Sequence, residues 1–141
     1  MSVPIAVNLP EFIEAFYTTR LFKLERWLLA TVLSIESSDA QAQQLANGST
    51  SRFSAWNVEN RSPSEILLDA GQTRSWLSVV QFKGRKSETT LLFGSAVVPM
   101  RPGGKFGLAF HALLGFHKLY SKLLLSAAAK NLVTLERRGV A

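Results

Sequence analysis

The chain has 141 residues, of which 47% are hydrophobic and 18% charged, with no cysteine and a formal charge of +6. That length suits one domain with a sizeable core, and the hydrophobic share excludes a disordered tail. Without cysteine, disulfide scaffolds, thiolate metal sites and cysteine nucleophiles are excluded as well.

Met1 to Pro10 holds no basic side chain and no long apolar core, a poor match to a signal peptide, so a cytoplasmic location is expected. Ser2–Val7 alternates weakly and predicts a short first strand ended by Asn8-Leu9-Pro10. Proline suits a first helical turn, where its missing N–H would be unpaired anyway, and Glu11 and Glu14 set negative charge at the positive end of the helix dipole. Phe12, Ile13, Phe16, Leu24, Trp27, Leu28 and Thr31 recur at helical intervals and predict an amphipathic helix over Glu11–Leu33. Tyr17-Thr18-Thr19 forms helix poorly and marks a bend. Ser37 or Ser38 caps a second helix, Asp39–Ala46, which Asn47-Gly48 ends.

Beyond it the texture changes to short runs rich in Trp, Val, Leu, Phe and Thr: Arg52–Glu59, Glu65–Ala70, Thr73–Phe82 and Glu88–Val98. The turn-rich pieces between them are too short for parallel crossovers, so four strands follow one another as an antiparallel meander. Pro99-Met100-Arg101-Pro102-Gly103-Gly104 breaks the pattern before a long final helix, Lys105–Arg137. On that helix Phe106, Phe110, Leu113, His117, Tyr120, Leu124 and Ala127 share a side. The longest apolar runs, Trp27–Leu33 and Leu123–Ala129, fall far short of the roughly 20 residues a membrane span needs.

Helices at both ends with strands between make a single α+β domain. Its strands lack the alternation of a sheet with one wet face. In Thr73–Phe82, Trp76, Val80 and Phe82 occupy one parity and Leu77 and Val79 the other. In Glu88–Val98, Leu92, Ala96 and Val98 oppose Leu91, Phe93 and Val97. Something must cover the second face, and another subunit, giving a homodimer, is the expected cover.

Phe12-Ile13-Glu14-Ala15-Phe16-Tyr17, Arg52-Phe53-Ser54-Ala55-Trp56, Thr73-Arg74-Ser75-Trp76-Leu77, Phe93-Gly94-Ser95-Ala96-Val97-Val98-Pro99 and Leu114-Gly115-Phe116-His117-Lys118-Leu119-Tyr120 resemble a family of uncharacterised bacterial proteins of START-like architecture. The wider group is also known as Bet v 1-like, SRPBCC or helix-grip. The resemblance implies a curved antiparallel meander wrapped on the C-terminal helix, with N-terminal helices beside it and a ligand cavity between sheet and helix. It implies no catalytic residue and no cofactor.

His111 and His117 are the chain's two histidines. Six positions apart on a helix they point about 240° apart, so they cannot share a metal ion. His117, near Tyr120, reads either as a pocket acid/base or ligand donor or as a buried structural imidazole. Arg74 and Trp76 share a strand face, with Trp56 on an adjoining strand. An arginine among tryptophans can anchor a carboxylate while the rings line an apolar ligand. The alternative pairs Arg74 with Glu59 or Asp69 at the sheet surface and leaves the rings as core. The carboxylates form no catalytic pair, and Asp69 adjoins a turn, where Asp is common for backbone reasons. Gly103-Gly104-Lys105 lacks the Walker spacing and reads as a hinge. The basic residues are scattered except at Lys83-Gly84-Arg85-Lys86 and Arg137-Arg138, too thin a track for specific nucleic-acid binding.

Three functions follow as expectations. The first is a small-ligand-binding domain whose apolar or amphipathic ligand is lined by Trp56, Trp76, Phe93, His117 and Tyr120, with Arg74 fixing an acidic group; which strand parity faces inward stays open. The second is a homodimeric interaction module without a cavity. The third is a cyclase- or hydrolase-like enzyme using His117. An enclosed space of roughly 300 Å³ or more favours the first, a filled interior the second.

Overall fold

In a computed structural model describing residues 1–33, 37–71, 73–82, 88–98 and 108–139, with backbone alone at 25, 28–33 and 108–117, ten elements follow in order. They are β1 (Ser2–Val3), α1 (Leu9–Tyr17), α2 (Arg20–Leu33), α3 (Asp39–Asn47), β2 (Arg52–Phe53), β3 (Trp56–Arg61), β4 (Glu65–Ala70), β5 (Thr73–Gln81), β6 (Thr89–Val97) and α4 (Leu108–Arg137). The fold is α+β: an antiparallel six-stranded sheet in the order β1-β6-β5-β4-β3-β2, with N-terminal helices and a long C-terminal helix in a helix-grip-like arrangement. Lys83–Lys86, Pro99–Gly104 and the proposed hinge at Gly103-Gly104-Lys105 lie outside the described residues.

Local chemistry sets the helix ends. Asn8 accepts from the Glu11 amide at 2.9 Å while its own amide donates to the Glu11 carboxylate at 2.8 Å, a reciprocal cap that starts α1. The helix predicted over Glu11–Leu33 divides at two threonines. Thr18 turns its hydroxyl back onto the Glu14 carbonyl at 2.7 Å, and the Thr19 hydroxyl accepts from the Phe22 amide at 3.1 Å, capping α2. The break re-phases α2, so Phe22 is buried while Leu24 and Trp27, predicted on one stripe with Phe12, Ile13 and Phe16, stand exposed. Ser38 and Gln41 repeat the reciprocal cap on α3, and Gly48 ends it with a left-handed φ of 81°. From β3, Arg61 donates to the last α3 carbonyls, Leu45 at 2.6 Å and Ala46, tying that helix to the sheet.

The stretch predicted as one strand, Arg52–Glu59, is instead a hairpin of β2 and β3, turning at Ser54 with φ 52°. The first strand is shorter than predicted and lies along β6, its residues Ser2 and Val3 opposite Thr90 and Thr89. Thr89, fully buried, holds the following segment: its hydroxyl donates to the Ile5 carbonyl at 2.9 Å and accepts from the Val7 amide at 3.0 Å.

The core fills one face of the sheet. Ile66, Leu68, Leu77 and Leu91 point toward Phe12, Ile13 and Phe16 of α1, Leu45 of α3 and Leu124, Ala128 and Leu132 of α4. The opposite parity of β4, β5 and β6 forms the outer face: Leu67 opposite Trp76, Trp76 opposite Gly94, and Ser78 opposite Leu92. Among the described residues no helix is long and apolar enough to cross a membrane.

Candidate functional site

Between the sheet and α4 the inner face leaves a cavity of about 120 Å³, lined by Phe16, Trp56, Ser75, Phe93, Tyr120 and Leu124 among others. Aromatic rings occupy most of the surrounding space. Phe16 lies 4.7 Å from Phe93 between centroids, Tyr17 4.7 Å from Phe22 and 5.1 Å from Phe53, and Phe22 5.5 Å from Trp56. These are the separations of offset and edge-on aromatic packing. Three of the residues singled out in the sequence, Trp56, Phe93 and Tyr120, therefore meet at one cavity. Its volume is well below the roughly 300 Å³ at which small-molecule sites begin. The His117 side chain lies outside the described residues.

Strand parity separates the other two candidates from this cavity. Arg74 stands opposite Asp69 and Ala96 on the outer face. Its Nη1 donates to Asp69 Oδ1 at 2.7 Å and to the Gly71 carbonyl at 2.8 Å, and its Nε pairs with the Glu59 carboxylate. With two carboxylates already on the guanidinium, Arg74 offers an incoming anion little unsatisfied charge. Trp76 lies on the same face, its indole N–H donating to Glu65 at 3.0 Å and its ring flat enough over Gly94 that a Cβ there would come within 3.3 Å of Cε3. Trp76 also edges a shallow recess of about 200 Å³ with Asn60, Arg61 and Leu67.

A roomier cleft, about 500 Å³, opens elsewhere, between the segment Ile5–Val7, α1 and the end of α4. Chain-distant pieces build it, so no local motif announced it. Its rim mixes Glu11, Glu14 and Glu136 with Arg138, and two of those acids already have partners: Glu11 in the Asn8 cap and Glu14 with Gln43 at 2.8 Å. Elsewhere, Asp39 at the start of α3 receives Lys23 at 2.5 Å and Arg26 at 2.6 Å from α2. Partial burial pushes its carboxyl up, but the hydrogen bonds and positive charges of Lys23 and Arg26 outweigh that and hold it below the usual range.

The chain matches no family model, no curated protein and no solved structure.

Proposed function

We propose that this domain is a protein-interaction module that assembles with itself, rather than a carrier of small molecules. One contrast supports the reading: among the described residues aromatic rings pack the interior around a cavity of about 120 Å³, whereas the outer sheet face presents apolar side chains to water. On that face Val80 is exposed and Leu67, Trp76 and Leu92 are only half-buried, with Phe82 and Val98 exposed just beyond the strand ends. Apolar side chains exposed on a domain surface mark contact sites when they gather in a patch, and here they share the face with Arg74, Asp69 and Glu65. The START-like resemblance belongs to the same proposal, as a grip closed around its own side chains.

Native mass spectrometry of freshly purified protein tests it. The expected result is a homodimer without a small-molecule adduct. A monomer carrying a stoichiometric adduct of a few hundred daltons would overturn it in favour of the ligand-binding reading.

A further inference from the structure

The open side of β6 narrows how two copies meet. Met1 donates from its ammonium to the Leu91 carbonyl at 2.8 Å, and the Leu91 amide donates to the Met1 carbonyl at 2.8 Å. In an antiparallel ladder, residues that exchange both bonds alternate with residues that turn their groups the other way. Odd-numbered residues of β6 therefore direct their N–H and C=O groups toward β1, and even-numbered ones toward β5. Met1, just ahead of β1, pairs with Leu91, and among the described residues no pairing with this segment extends further along β6. Phe93, Ser95 and Val97 turn backbone donors and acceptors outward, and among the described residues no strand lies beside them.

Proteins guard such edges with lysine, proline, a bulge or a covering element. Here Leu92-Phe93-Gly94-Ser95-Ala96-Val97-Val98 contains no charge and no proline, and the pairing of β6 with β5 runs without a bulge from Thr89 to Val97. The segment is also self-complementary. A two-fold axis at Ser95 sets Phe93 against Val97, Gly94 against Ala96 and Leu92 against Val98 of the second copy. Large apolar groups then oppose each other, and small ones oppose small. Self-complementarity of one patch is what an isologous contact demands.

We propose that two copies pair β6 to β6, antiparallel about Ser95, joining two six-stranded sheets into one continuous sheet. The proposal rests on the self-assembly reading only for the presence of a second copy; it sets the contact at the β6 edge and leaves the outer sheet faces of both copies uncovered.

The test uses the full chain and two variants. Ser95→Pro removes an N–H that points away from β5, a position where an edge strand tolerates proline. Sedimentation equilibrium is expected to show a dimer for the parent chain and at least tenfold weaker association for the variant, with an unchanged far-ultraviolet spectrum. The second variant, Val80→Cys, adds the sole cysteine to an exposed outer-face position away from the edge and takes a nitroxide label. Val80 lies opposite Thr90 on β5, so the axis at Ser95 separates the two labels by ten residue steps along the strands and three strand spacings across, about 37 Å. A dimer that survives Ser95→Pro, or a label distance below about 25 Å as stacked outer faces would give, overturns edge pairing and leaves self-assembly standing. A parent chain that stays monomeric overturns both. Should Ser95→Pro fail to fold, the label distance decides.

Discussion

Phe16 sits fully buried where α1 meets the sheet, with Phe12, Tyr17, Phe22 and Phe93 rings around it at centroid distances of 4.7–6.3 Å. Close-packed neighbours cannot collapse into the space a truncated ring leaves. Phe16→Ala should therefore cost about 3–5 kcal/mol, a large part of the roughly 5–15 kcal/mol a domain commands; the denaturant midpoint at constant slope measures it. The same ring cluster explains what the sequence could and could not say about the site. Phe93 and Tyr120 were legible as site candidates because each falls in an apolar pattern, though the sequence left open which strand parity faces inward. Arg74 and Trp76 were not separable from them, because both parities of β5 are apolar and parity alone decides which face a side chain joins. Pairing partners settle it: Asp69 stands across from Arg74, and Leu68 stands across from Ser75.

At the level of elements, α2 and α3 are bound to each other through Asp39. A carboxyl whose folded pKa is depressed contributes stability that is complete above its unfolded pKa, near 4, and is lost as pH falls through the lower folded value. Asp39→Asn should thus be less stable than the parent at pH 6, by up to about 1 kcal/mol for so exposed a pair, and the gap should close in acid, once the pH lies below the depressed folded value. Denaturant melts of both proteins from pH 6 down into the acid range measure it. Helix boundaries were the most readable part of the chain, because Asn8, Ser38, Gly48 and the two threonines act through local bonds. The β2–β3 hairpin was not readable. Ser54-Ala55 carries neither glycine nor asparagine, and only tertiary packing of Phe53 and Trp56 makes the left-handed Ser54 worthwhile. The place of β1 was hidden for a related reason, since its partner lies some 88 residues away along the chain.

For the molecule as a whole, the self-assembly proposed from the apolar side chains of the outer sheet face predicts that folding and association are linked. Mass action then makes the melting temperature depend on protein concentration. A tenfold rise in concentration adds about 1.4 kcal/mol per dimer, which for two chains of 141 residues corresponds to about 2 °C. Differential scanning calorimetry over a hundredfold range resolves that trend, and a melting temperature indifferent to concentration would count against assembly. The doubly apolar strands were the sequence feature that foretold such a surface; the free stretch of β6 was not foretold, because it follows from where the distant first strand stops.

The salt-free clasp between the Met1 ammonium and Leu91 has a practical corollary. Residues joined ahead of Met1 would enter the ladder opposite Leu92 and run antiparallel past Phe93 and Ser95, the direction β1 already follows. An amino-terminal affinity handle would thus act as a competitive seventh ribbon and mask the behaviour under test.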